Sequence, residues 1–243
     1  MKKYIPNLFT LGNLLCGTIA LIFTAQYDFV NAAIAVFLGI IFDFLDGLLA
    51  RVLKIQGTLG RYLDSLSDMV TSGVVPGIVM FCLLGMNLPE GDGYHLELDV
   101  SNFYKDIRLI GLILTLSACY RLAKFNVDVK PSGSFTGLPT PAMSLFVVSL
   151  PLIQKYTDIL FLKELVTNNY VLIGITLVFS YLMNSGMDMF SLKFKNFKWE
   201  ENIFKYLLIL VSAVLLLTVG YMAIPLIILI YIFLSIIDNL KWS

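Results

Sequence analysis

"IFDFLDGLLARVLKIQGTLGRYLDSLSDMV", residues Ile41 to Val70, holds four aspartates, Asp43, Asp46, Asp64 and Asp68, inside a chain that is otherwise apolar. Asp43 and Asp46 are three apart, and Asp64 and Asp68 are four apart. On a helix either spacing puts the pair on one face, about one turn along. Gly47, Ala50 and Arg51 continue the same side of the first helix. The short link "KIQGTL" turns the chain, so that the next helix can run antiparallel and the two carboxylate pairs can face each other across one small space. That geometry requires helices on both sides of the link, and the rest of the sequence supplies them.

Of the 243 residues, 58% are hydrophobic and 14% charged, with a mean hydropathy of +0.84. A soluble domain of this length carries about a quarter charged residues. Apolar runs recur from end to end, which predicts a polytopic integral membrane protein, all-α, a helix bundle of about eight transmembrane helices. A span needs about 20 apolar residues; the candidates are 8–26, 29–53, 60–86, 106–125, 140–156, 168–187, 203–219 and 221–238. The last two are parted by a tight turn near Gly220. "MKKYIPNLFTLGNLLCGTIALIF" has no small-residue cleavage site before a polar domain, so it reads as the first span rather than a leader.

With the N-terminus placed in the cytoplasm, 13 of the 17 lysines and arginines fall on that side, as the positive-inside rule requires. An even helix count returns the C-terminus there too, and the quoted stretch then lies at the cytoplasmic ends of helices two and three. The net charge is zero, which gives no pull toward nucleic acid. Cys16, Cys82 and Cys119 lie apart in apolar runs and read as buried packing residues. His95 sits in the acidic loop 87–106, on the side away from the aspartates. Lys193, Lys195, Lys198 and Lys205, interleaved with Phe190, Phe194, Phe197 and Trp199, read as an interfacial segment for anionic membrane lipids.

An unpaired carboxylate at membrane depth costs several kcal/mol. One arginine cannot neutralise four. Oxygen ligands without His or Cys suit a hard divalent ion, Mg²⁺ or Mn²⁺, and four carboxylates have room for two ions, as in two-metal phosphoryl-transfer sites. Gly47 and Gly60 leave space for a close ligand, and Arg51 offers a bidentate fork for phosphate oxygens. Together these features suggest a metal-held pyrophosphate. The alternative is a cation transporter that uses the acids for ion coupling, although the chain shows no internal repeat and all four acids lie at one end.

The spacing D-x2-D-G-x2-A-R-x8-G-x3-D-x3-D, met here by Asp43, Asp46, Gly47, Ala50, Arg51, Gly60, Asp64 and Asp68, resembles the signature of the CDP-alcohol phosphotransferases. The resemblance implies that fold and a set of roles. Asp43, Asp46, Asp64 and Asp68 would hold two metal ions. Asp46, Gly47, Arg51 and Gly60 would border CDP, and Asp68 would be the base for the acceptor hydroxyl. Asn7 and Thr10, one turn apart behind Pro6, would reach the CDP of a CDP-diacylglycerol; Asn7 has the alternative of capping the first helix.

"PNLFTLGNLLCG", "DSLSDMVTSGVVP", "YRLAKFNVDVKPSGSFTGLPTPA" and "LMNSGMDMFSLKFK" are similar to the branch that uses L-serine as acceptor, over roughly residues 1–195, the catalytic core of six helices. Residues 196–243 add two helices. The chain departs from that branch at Lys124, where a second arginine is usual, and at Ser72, where an aromatic is usual. Arg121, Lys124 and Asn126 are the candidate serine contacts, with snorkelling to the interface as the other reading of the two cations. Glycerol 3-phosphate and inositol phosphate are the rival acceptors; their phosphate calls for more basic residues than this region offers. The family resemblance also implies a homodimer. "GLPTPA" either lines the pocket or starts the fifth helix.

Overall fold

Two tight corners between the first three helices decide where the aspartates meet. A computed structural model describes residues 4–55, 57–87, 106–127, 134–190 and 199–242. Helix α1, Ile5–Ala25, carries Pro6 in its first turn, where the missing N–H has no helical partner to lose. Its N-cap is Tyr4, so Asn7 lies inside the helix and the capping alternative does not hold. α1 closes with Tyr27 at φ 57°, and the Tyr27 and Asp28 N–H groups donate to the Thr24 and Phe23 carbonyls at 3.0 and 2.9 Å, a Schellman closure. Asp28 then caps α2, Phe29–Val52, accepting from the Asn31 N–H at 3.3 Å.

α2 ends the same way. Lys54 takes φ 54°, and Lys54 and Ile55 donate to the Arg51 and Ala50 carbonyls at 3.1 and 2.9 Å. Gly57 starts α3, Thr58–Asp68, in extended backbone. α1 packs closely against both α2 and α3, whereas α2 and α3 pack little against each other. The aspartates therefore face each other across a gap whose third wall is α1.

The third span is one long helix with a fault in it. After α3 the chain makes a π-helical turn, Met69–Val74, and continues as α4, Val75–Met86. Pro76 has no N–H and its ring crowds the preceding turn, which explains a widened turn at this place. Side chains bond to carbonyls within this turn. Ser144 Oγ donates to the Thr71 carbonyl at 3.3 Å and Thr115 Oγ1 to the Gly73 carbonyl at 3.0 Å. Thr71 in turn donates to the Asn13 carbonyl at 3.0 Å. Gly17 and Gly39 leave it room: a Cβ on Gly39 would lie 2.8 Å from Thr71 Cγ2, and one on Gly17 would strike the Thr71 hydroxyl. Close contact through small residues is how membrane helices gain packing without a hydrophobic drive.

Around α4 the core is built from Val75, Val79, Met80, Leu83 and Leu84, packed with Leu114, Ala118, Met143 and Val147. Asp106 caps a 3₁₀ turn, Ile107–Leu112, that leads into α5, Ile113–Val127. α6, Thr140–Tyr156, begins behind Pro139 with Pro141 in its first turn, so "GLPTPA" does start that helix. α7, Leu160–Thr167, and α8, Asn169–Asn184, meet at a bend of 72°. Two short strands, β1 (Ser134–Thr136) and β2 (Asp188–Phe190), pair antiparallel with Phe135 opposite Met189. α9, Trp199–Val219, turns at Gly220, φ +59°, through Gly220–Met222 into α10, Ala223–Trp242. α10 is tied to β2: Tyr231 Oη donates to the Phe190 carbonyl at 3.2 Å and Asn239 Nδ2 to the Asp188 carbonyl.

Large apolar side chains such as Leu15, Phe37, Leu177, Leu217 and Phe233 are exposed along these helices, as the lipid faces of an integral membrane protein are. Among the described residues four helical segments are long and apolar enough to cross a bilayer, or five if α7 and α8 form one bent span. Ile5–Ala25, Phe29–Val52 and Thr58–Met86 are three of them, and the fourth, Asn202–Asn239, contains the Gly220 corner. The other expected spans correspond to α5, whose 15 residues fall below the range for a span, and α6, whose 17 lie at its short end, so the expected count of eight is not confirmed. The all-α expectation holds; the sequence did not announce the two short strands, α7 or the π turn. Of the cysteines only Cys82 is buried; Cys16 is half-buried and Cys119 exposed, contrary to the expected burial. His95, Lys193, Lys195 and Lys198 lie outside the described residues.

Candidate active site

Asp43, Asp64 and Asp68 each offer a carboxylate oxygen, and the three oxygens lie within 4.8 Å of one another. Two bare carboxylates about 4 Å apart repel by about 4 kcal/mol at an effective dielectric near 20. Asp64 Oδ1 is buried and has no hydrogen-bond partner. An arrangement that concentrates like charge and leaves an acceptor unsatisfied suits a divalent cation. Mg²⁺–oxygen bonds of about 2.0–2.1 Å put neighbouring ligand oxygens roughly 3 Å apart and opposite ones about 4 Å apart, so the triad fits with small side-chain adjustments.

Asp46 is set differently. Its side chain is buried, its Oδ2 has no hydrogen-bond partner, and it stands beside Thr10 of α1 rather than in the triad. Thr10 itself donates to the Pro6 carbonyl at 3.2 Å. A Cβ on Gly60 would lie 3.5 Å from Asn7 Oδ1, which places Asn7 against the start of α3. Around Gly47 the nearest atom to a Cβ would be the Arg51 guanidinium at 4.0 Å, so the space there is open. Arg51 is exposed and its Nε donates to the Gly47 carbonyl at 2.9 Å. Asn7, Thr10, Asp46 and Gly60 thus gather where α1 meets α2 and α3.

On the other side α5 supplies Arg121, only 9% exposed. Its Nε is buried without a hydrogen-bond partner, and its charge lies within electrostatic reach of Asp68. Asn126 Nδ2 donates to Ser65 Oγ at 2.8 Å and to the Leu122 carbonyl at 3.1 Å, so Asn126 touches the acid-bearing helix next to Asp64. Lys124 is exposed. Of the three candidate serine contacts, Arg121 and Asn126 face inward and Lys124 faces outward, the position of a cation that snorkels.

Two neighbours of the site were not singled out from the sequence. Asn13 Nδ2 donates to Asp68 Oδ1 at 3.0 Å. Tyr231 of α10 is buried within electrostatic reach of Arg121. Asn13 continues the three-residue spacing of Asn7 and Thr10 along one face of α1, a signal that was available. Nothing local in the sequence points to Tyr231, which reaches the site only through the tertiary fold.

The sequence profile described as CDP-alcohol phosphatidyltransferase matches residues 3–182. A Bacillus subtilis protein named CDP-diacylglycerol–serine O-phosphatidyltransferase is 32% identical over 201 residues, covering 81% of this chain and 92% of that protein. A Helicobacter pylori protein of the same name is 29% identical over 218 residues, 86% of this chain and 80% of the relative. The archaetidylserine synthase of Methanothermobacter thermautotrophicus is 29% identical over 158 residues, 64% of this chain and 60% of the relative. The signature aspartates, three of which meet in one cluster, fall inside the matched region, and the chain belongs to the CDP-alcohol phosphatidyltransferase family.

Proposed function

We propose that this protein transfers the phosphatidyl group of CDP-diacylglycerol to the hydroxyl of L-serine, giving phosphatidylserine and CMP. The observation that carries the reading is the Asp43–Asp64–Asp68 cluster on the family signature, in a chain whose relatives bear the name of that activity. Asp43, Asp46, Asp64 and Asp68 are the proposed ligands of two Mg²⁺ or Mn²⁺ ions. When bound, the ions neutralise the diphosphate and acidify the acceptor hydroxyl. Asp46, which stands beside Thr10 and whose buried Oδ2 has no hydrogen-bond partner, completes the ligand set from outside the triad.

Asn7, Thr10, Gly47, Arg51 and Gly60 receive the CDP group with Asp46. The open space at Gly47 admits it, and Arg51 swings from its own helix carbonyl to phosphate oxygens. Arg121 is the proposed partner of the serine carboxylate, with Asn126 beside it; Lys124, being exposed, sets topology rather than the pocket. Asp68 accepts the proton of the serine hydroxyl. The serine oxygen forms its bond to the phosphatidyl phosphorus, the bond from phosphorus to the CMP oxygen breaks, and CMP leaves with that electron pair. Most of the rate comes from positioning and charge neutralisation, as in other phosphoryl transfers.

We place both termini and the site on the cytoplasmic face of the inner membrane, on the strength of the lysine and arginine bias. Residues 1–195 are the proposed catalytic core, residues 196–243 an addition, and the working unit a homodimer.

The test is direct. Purified protein given CDP-diacylglycerol, radiolabelled L-serine and Mn²⁺ or Mg²⁺ should yield a chloroform-soluble product, and EDTA should abolish it. Label entering lipid from glycerol 3-phosphate but not from serine would overturn the acceptor assignment.

A further inference from the structure

We propose that Asn13 is a positioning residue for Asp68: its amide pins Oδ1 of that carboxylate, so that the carboxylate is held in one orientation toward the metal and the acceptor hydroxyl. The inference rests on the phosphotransfer reading above and extends it to a residue outside the signature.

Asn13 lies in α1, 0% exposed, with its Nδ2 3.0 Å from Asp68 Oδ1. The amide can sit only this way round, because its oxygen turned to Asp68 would meet another acceptor. The opposite end is costly. Asn13 Oδ1 is buried without a hydrogen-bond partner, an unsatisfied acceptor that opposes folding, and it is pressed toward α2, where a Cβ on Gly39 would be 3.0 Å away. An apolar residue would fill this packing position at lower cost. The asparagine is explained if the amide donor is what the site needs. It is also neutral, so it orients Asp68 without offsetting the charge that a cation must find there. Its backbone is fixed as well, since the Asn13 carbonyl accepts from Thr71 in the π turn that follows Asp68. One residue of α1 is therefore bonded twice to the Asp68 helix, by side chain to the carboxylate and by backbone just beyond it. Ligands held by such outer partners typically lose about 10- to 100-fold in metal affinity when the partner is removed.

The test is Mn²⁺ binding to purified full-length protein in detergent, without lipid or serine, read as free Mn²⁺ by electron paramagnetic resonance. Wild type, Asn13→Ala, Asn13→Ser, Asp68→Asn and the Asn13→Ala/Asp68→Asn double variant are compared. The proposal expects Asn13→Ala and Asn13→Ser to weaken binding by about tenfold or more, and expects Asn13→Ala to change nothing further once Asp68 is Asn. A loss of similar size in both backgrounds, or single variants within about twofold of wild type, overturns it. Failure of both single variants to give monodisperse protein also overturns it, in favour of a packing role. Wild type that takes up no Mn²⁺, or Asp68→Asn that binds like wild type, instead sinks the metal reading on which the proposal stands.

Discussion

Asp68 sits where three demands meet: it belongs to the acid cluster, accepts from Asn13, and feels the charge of Arg121. Asp68→Asn keeps the size of the side chain and removes one negative charge and the basic oxygen. General-base groups contribute about 10²- to 10⁴-fold, so turnover of serine into lipid should fall by at least about 10²-fold while size-exclusion behaviour stays that of wild type. Near-normal turnover would take the base role away from Asp68. At this scale the sequence was informative about the aspartates because their spacing is helical and their cost in lipid is high. It was less so about Lys124 and Arg121, which look alike in sequence. Their exposure differs because α5 turns one toward the site and the other away.

Among the helices, the contact of α1 and α2 with the π turn is the tightest constraint near the site. Gly39→Ala would put a methyl 2.8 Å from Thr71 Cγ2 and 3.0 Å from Asn13 Oδ1. Overpacking of this kind costs about 1–3 kcal/mol, and here the strain is delivered to the Asn13–Asp68 bond. The expected outcome is a lower melting temperature in detergent together with reduced turnover; an unchanged melting curve would show that the helices can part there freely. At the start of the 3₁₀ turn, Arg108 donates to Asp106 through Nε at 2.8 Å and through a terminal nitrogen at 2.6 Å, and lies 4.9 Å over the Phe81 ring. The Arg108 guanidinium beside Asp106 holds its carboxyl below the usual carboxylate range. A carboxyl with a depressed folded value contributes stability above its unfolded value, about pH 4, and loses it as pH falls through the folded value. The thermal advantage of wild type over Asp106→Asn should therefore be constant from pH 7 to about 4 and shrink below that. An advantage that persists undiminished to the lowest pH would refute the ion-pair origin.

For the whole molecule, most apolar segments read from the sequence became helices within a few residues of their expected ends, because span length and hydropathy dominate in a bilayer. α6 runs from Thr140 to Tyr156, as the prolines and the apolar run foretold. The misses have tertiary causes. The β1–β2 ribbon joins segments about fifty residues apart in sequence and is covered by α10, which no local pattern announces. α7 is an eight-residue amphipathic piece, too short for a span and so read as loop. The gap between α2 and α3 depends on α1 entering as a third wall, a tertiary contact that no local pattern encodes. Tyr231 and Asn239 anchor α10 to β2. Removing residues 196–243 should lower the melting temperature markedly; a truncated protein that melts like the full chain would make them an independent appendage.

The π-helical turn at Met69–Val74 has one more implication. A π turn takes up about one residue more than an α turn, so everything beyond it is offset by about 100° from the phase of an unbroken α-helix. The acid-bearing portion of the third span and its core-packing portion are thus dephased, and each is free to present the azimuth its own surroundings require. Closing that turn into ordinary α-helix with every residue kept would rotate the acid-bearing portion by about that angle relative to the core-packing portion, swinging Asp64 and Asp68 away from Asp43 even though every carboxylate remained in the chain.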